Sequence, residues 1–272
     1  MVHDVENESG NDVRYSGFLY IDRPANVTVQ NSMFSGRAAG GNSSYDLVID
    51  YSSYTLFKNC KQINTILNEN GQRDLWGIMT SNYVKNLVYD TVEFSRYDSH
   101  KDVHNATIRN SIIGYQGLAL IGSGTVLVEN TKVTSYEFIN FRSDYGSSWE
   151  GDVIIKNCVY VPYNGPIKHS PVVINGYNNG AHWYGYQSYM PRKVTIDGLY
   201  IDDSNSGFYV FPRLFGEYKY FGEILKGIFV KEPYPIIPTE EVQVKNLTVK
   251  SGRCYIKSFN FPMFWKTKLI KL

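Results

Sequence analysis

The sequence predicts an all-β fold, a right-handed parallel β-helix (a solenoid) carrying long lateral loops. Three observations carry that expectation. A short pattern (apolar, any, apolar, any, Asn, then an apolar residue about three positions on) recurs eight times along the 272 residues. Inside each copy apolar and polar residues alternate, as they do in a strand with one buried face. No segment carries a helical apolar stripe, and the closely spaced hairpin signals that a β-sandwich needs are scarce.

The copies are VTVQNSMF (Val27–Phe34), TLFKNCKQI (Thr55–Ile63), NLVYDTVEF (Asn86–Phe94), ATIRNSII (Ala106–Ile113), VLVENTKV (Val126–Val133), VIIKNCVY (Val153–Tyr160), VTIDGLYI (Val194–Ile201) and VQVKNLTV (Val242–Val249). Their Asn position is filled by Asn31, Asn59, Asp90, Asn110, Asn130, Asn157, Gly198 and Asn246, at intervals of 28, 31, 20, 20, 27, 41 and 48 residues. Strands that recur once per ~20 residues, with connections of variable length, describe stacked coils. Asn suits a turn between two strands of a coil, where its side chain bonds to the next coil. The alternation puts Val29, Phe57, Val88, Ile108, Val128, Ile155, Ile196 and Val244 in one inward column.

Residues 1–25 read as the truncated start of the β-helix, 26–250 as its body with an irregular excursion at 204–240, and 251–272 as a C-terminal cap or subunit contact. An extra, degenerate coil is expected around Val172–Asn175. With 27 Lys+Arg against 26 Asp+Glu, the composition excludes a generally basic nucleic-acid binder. No run of apolar residues is long enough to insert in a membrane, and the polar opening residues do not form a signal peptide. The three cysteines, Cys60, Cys158 and Cys254, include no CxxC pair, against both a disulfide framework and a zinc cluster. Cys60 and Cys158 each follow a turn Asn four coils apart, roughly 19 Å at the ordinary strand spacing, so both are expected to be free thiols. No metal and no cofactor is expected, because the His100-x3-His104 spacing suits a helix and the segment reads as strand or turn.

The chemistry concentrates in two runs. In SRYDSHKDVHN, Asp98, His100, Asp102 and His104 alternate, which on one strand gives a shared face next to Tyr97. FRSDYGSSWEGD projects as a loop with Arg142, Asp144, Tyr145, Trp149 and Glu150. A shift of 20 residues aligns Asp98 with Leu118 and Phe138, and Asp102 with Gly122 and Arg142. Ala119 and Ile121 then point inward, and Arg142 bridges to Asp102 across the notch left by Gly122. The expected catalytic set is Asp98, His100, Asp102, Arg142, Asp144 and Glu150, with Tyr97, Asn140, Tyr145, Trp149 and Trp183 contacting substrate. Paired carboxylates beside an aromatic platform are the equipment of glycoside hydrolysis.

The coil pattern, with WGIMTSNYVKN, SRYDSHKDVHNATIRNS and FRSDYGSSWEGDVIIKNC, resembles the pectin-lyase-like β-helix superfamily. Within it the chain is most similar to phage tailspike or appendage proteins and prophage-encoded relatives of Gram-positive bacteria. The resemblance implies a polysaccharide partner, a homotrimer or a part of a larger chain, and a virion or extracellular location. It implies degradation of a bacterial cell-surface glycan or teichoic-acid-type polymer by carboxylate acid/base hydrolysis. A non-catalytic glycan-binding or structural shaft, and a uronate polysaccharide lyase, are the alternatives. Neither the calcium-assisted lyase pattern nor the polygalacturonase set is complete here, so no catalytic role transfers residue by residue.

Overall fold

In a computed structural model the chain is all-β, built from strands paired in parallel, with no helix among the described residues. The structure describes residues 17–34, 45–62, 78–80, 83–99, 103–142, 149–162, 170–174, 189–204, 213–216, 237–252 and 268–271.

Three runs of pairing organise these strands. The first ladder joins Asn26–Gln30 to the opening of Tyr54–Gln62, then to Leu87–Asp98, Val103–Arg109, Gly122–Glu129, Trp149–Pro162, Lys193–Ile201, Glu241–Lys245 and Lys268–Lys271. The second ladder starts two residues beyond each corner and runs from Met33–Phe34 to Thr248–Val249. The third ladder links Gly17–Asp22, Tyr45–Asp50, Ile78–Thr80, the ends of Leu87–Asp98 and Ile112–Leu120, then Ile139–Phe141, Val172–Ile174 and Phe215–Gly216. Val172–Ile174 is thus an ordinary member of the third ladder, and Phe215–Gly216, inside the expected excursion, pairs beside it. Pairing also extends past both ends of the 26–250 span.

The corner between the first two ladders is a single residue in the left-handed region. Asn31, Asn59, Asn110, Asn130, Asn157 and Asn246 occupy it with φ of 48–52°. Asn tolerates this region far better than other residues with a Cβ, because its short amide bonds locally. Here the amides also bond to one another. Asn59 donates to Asn31 Oδ1 at 2.7 Å, Asn110 to Asp90 Oδ1 at 3.2 Å, and Asn130 to Asn110 Oδ1 at 3.3 Å.

One copy departs from the expected register. The left-handed corner of NLVYDTVEF is Thr91, at φ 59°, and not Asp90. Asp90 lies on the strand opposite Lys58 and Arg109, which moves every residue of that segment by one and reverses its faces. Tyr89, fully buried, therefore takes the inward place expected for Val88, between Phe57 and Ile108. The other seven members of the predicted column are stacked as expected. Tyr89 packs edge-on against Phe57, Phe94 and Tyr97, with centroids 5.2, 5.4 and 5.1 Å apart. That aromatic block fills the interior where the next rungs use Ile, Leu and Val, before Tyr160 and Phe215 enter the same columns.

Cys60 and Cys158 are buried free thiols in the position after the corner. Each donates to the carbonyl two residues back, Cys60 to Lys58 at 3.4 Å and Cys158 to Lys156 at 3.2 Å. The hydroxyls of Ser32, Ser111 and Thr131 make the same bond. Burial pushes the Cys158 thiol up to about 11 and raises Cys60, so both stay protonated and inert at neutral pH. Cys254 lies outside the described residues.

Replacing Asn110 separates the two functions of the corner. Asn110→Ala loses both the tolerance of positive φ and the amide bonds, for a cost of about 2 kcal/mol in urea denaturation. Asn110→Gly keeps the backbone and loses only the bonds, so it should recover roughly 1 kcal/mol of that cost.

Candidate functional site

Asp98, Ala119, Asn140 and Val173 occupy consecutive rungs of the third ladder. They face away from the interior, since their neighbours Tyr97, Leu118, Ile139 and Val172 form a fully buried column beside them. This corrects the 20-residue alignment. Asp98 pairs with Ala119 and not with Leu118, and Leu118 and Leu120 are the inward residues. Gly122 pairs with Val103, and a Cβ there would lie 2.0 Å from the Val103 carbonyl oxygen. The glycine answers a close backbone approach and leaves no notch.

Arg142 does bridge two rungs, to a different carboxylate. Its Nη1 donates to Asp98 Oδ1 at 2.6 Å, and Arg96 Nη2 donates to Asp98 Oδ2 at 2.6 Å. The small residue that the bridge crosses is Ala119. The side chains of Asp98, Arg96 and Arg142 are 1, 8 and 20% exposed. Asp98 thus holds both guanidiniums in place through charge-assisted bonds.

The proton-carrying group is one that the sequence reading missed. Glu137 is buried just before Ile139–Phe141, and Asn140 Nδ2 donates to its Oε2 at 3.0 Å. Burial raises its carboxyl to about 7, against the opposing pull of the Asn140 bond. The backbone carbonyl of Glu137 accepts the Ser135 hydroxyl, and Tyr136 beside it is 48% exposed. The available signal was a lone carboxylate between aromatics in SYEFINF, where a solvated loop would not place Tyr and Phe.

Other expected residues separate. The Asp98–His104 alternation does not form one face: Leu87–Asp98 closes the third-ladder rung, and Val103–Arg109 opens the next first-ladder strand. His104 Nδ1 lies 3.1 Å from Ser123 Oγ there, and Glu150, exposed, pairs on the other side of Ser123. Glu150 therefore sits on a different ladder from Asp98. Trp149 is no loop platform. It begins a strand, is fully buried, donates from Nε1 to the Gly124 carbonyl at 2.9 Å and packs on Phe141. Tyr97 is likewise an interior residue and presents no face to a ligand. Of the predicted substrate contacts, Asn140 remains at the site through its bond to Glu137. His100, Asp102, Asp144, Tyr145 and Trp183 lie outside the described residues. Among the described residues no three His, Cys, Asp or Glu side chains come together as a metal set.

No protein-family model, curated protein or solved structure matches the chain.

The two carboxylates should respond differently to substitution. With its folded value raised to about 7, Glu137 binds a proton more tightly in the native state than in the unfolded chain. Its contribution therefore falls as pH rises from about 4.5 to 7, by on the order of 3 kcal/mol in all. Glu137→Gln should match the parent at acid pH and exceed its stability at pH above about 7, read by urea denaturation across that range. Asp98→Asn should destabilise at neutral pH, by about 3–5 kcal/mol, because it removes the carboxylate that two largely buried guanidiniums share.

Proposed function

We propose that the chain is a right-handed parallel β-helix of the pectin-lyase-like kind, acting on a bacterial cell-surface polysaccharide outside the cell or on a virion. The three parallel ladders, each advancing by one strand per pass of the chain, support the solenoid. The observation that carries the activity is Glu137, a carboxyl titrating near 7 that is bonded to the Asn140 amide, on the strand that also leads to Arg142. A carboxyl neutral at working pH is what protonates the leaving oxygen of a glycosidic bond. Arg142, fixed by Asp98, orients an anionic or hydroxyl-rich sugar. In this reading the second carboxylate is Asp144, two residues beyond Arg142 in sequence, with Asp102 as a further candidate. His100 is the base of the lyase alternative.

A binding module is the second reading, and one observation favours it. Tyr51 and Tyr83 are 45 and 49% exposed and stack with ring centroids 5.0 Å apart, with the Arg23 guanidinium 5.3 Å from the Tyr51 ring. Such a column of planar groups suits contact with sugar rings.

A screen against bacterial cell-wall polysaccharides, read by reducing-end release and by absorbance of unsaturated products, tests the enzyme. Glu137→Gln should retain the polymer on a column and lose ~10²–10⁴-fold in cleavage rate. Asp144→Asn should abolish hydrolysis, and His100→Ala should abolish elimination instead. Unchanged cleavage by Glu137→Gln rules out this site. Retention without cleavage by the parent moves the assignment to the binding module.

A further inference from the structure

The outward face of the first ladder carries charges in strict alternation. On six consecutive rungs, the residue before the corner region reads Lys58, Asp90, Arg109, Glu129, Lys156 and Asp197. Beside this column runs a second outward one, in which Leu56, Val88, Leu127 and Ile154 are all half-buried. At these positions successive rungs pair in register, so both columns repeat at ~4.8 Å per rung.

We propose that this face is the interface of an antiparallel homodimer, formed with a second copy turned about a two-fold axis parallel to the strands. That operation keeps each column facing its own kind and reverses the order of rungs. With the axis between the Arg109 and Glu129 rungs, Arg109 faces Glu129 of the other copy, Asp90 faces Lys156, and Lys58 faces Asp197. Each pair occurs twice and every one joins opposite signs. In the same arrangement Val88 meets Ile154, and Leu127 meets Thr107. Sliding the copies by one rung sets like charge on like along the whole column, so the alternation selects the register as well as the partner.

A parallel arrangement does not make these pairs. It turns the column towards the far side of the face, where Lys58, Asp90, Arg109 and Glu129 would meet the uncharged Tyr54, Asn86, Asn105 and Thr125. Within the alternating column the bridge present is Arg109 to Asp90, at 2.8 Å. Eight rungs at ~4.8 Å by five residues at ~3.3 Å give about 600 Å² per copy, or ~1,200 Å² in all, the lower bound of specific interfaces. The interface leaves the Asp98–Glu137 site on another ladder open.

Sedimentation of the intact chain tests the interface directly. The parent should be a dimer at low ionic strength and should weaken as salt rises, since the contacts are charged and peripheral to a narrow apolar stripe. Arg109→Glu and Glu129→Arg should each be monomeric, and mixing the two in equal amounts should restore a dimer containing one copy of each. Ile154→Lys should be monomeric without touching the charge column, and circular dichroism on each variant confirms that the strands remain. A monomeric or trimeric parent, a dimer that survives both charge reversals, or a mixture that fails to associate would each overturn the proposal.

Discussion

The left-handed corner is the constraint on which the molecule depends. One residue turns the chain from the first ladder into the second, so a strand before the corner and a strand after it are set in phase together. Each corner is positioned by the one beneath it, through the amide bond and through a backbone bond such as Asn31 N–H to the Lys58 carbonyl at 3.0 Å. Where the corner residue is not Asn, the preceding residue takes over the acceptor role. Asp90 before Thr91 accepts from Asn110, and Asp197 before Gly198 accepts from Asn246 at 2.8 Å. The side-chain bond is kept while the backbone position is given to another residue. For Asp90, burial raises the carboxyl, and the bonds from Arg109, Asn110 and Thr91 outweigh it to leave the carboxyl below its usual range.

That substitution also explains which parts of the fold could be read from the sequence. Six asparagines name their corners outright, since no other residue with a Cβ combines left-handed tolerance with a donor and an acceptor. At Asp90–Thr91 the same chemistry is split across two residues. A pattern search locks on to the Asp and shifts Val88 and Tyr89 to the wrong faces. In the third ladder there is no corner residue to anchor the count. A constant 20-residue shift therefore drifts, because Asp98 to Ala119 and Ala119 to Asn140 each span 21 residues and Val103 to Gly122 spans 19. Trp149 was misplaced for a related reason. A Gly/Ser-rich stretch reads as a loop, but Gly151 is needed where a Cβ would lie 2.0 Å from the Gly124 carbonyl oxygen.

At the candidate site, two carboxyl groups of nearly equal intrinsic acidity sit in different surroundings. Asp98 takes bonds from two guanidiniums. Glu137 takes a bond from a neutral amide, and burial raises its carboxyl to about 7. Sequence identifies such groups poorly, because the decisive quantity is the company each one keeps after folding. Arg142 was legible as a bridging residue with a small residue beneath the bridge, but its partner was assigned four residues too far along, at Asp102, and the small residue three too far, at Gly122.

The single-residue corner has a consequence for how this chain tolerates change in length. From Asn31 to Asn246 the junction of the first two ladders never gains or loses a residue, although the distance between successive corners ranges from 19 to 48 residues when Thr91 is counted in its true place. All the variation in length falls at the other two junctions, in the number of residues between one ladder strand and the next. The pairings on either side are kept whatever that number is. New surface can thus be added or exchanged one segment at a time, as on a rack whose pegs are fixed and whose contents are not.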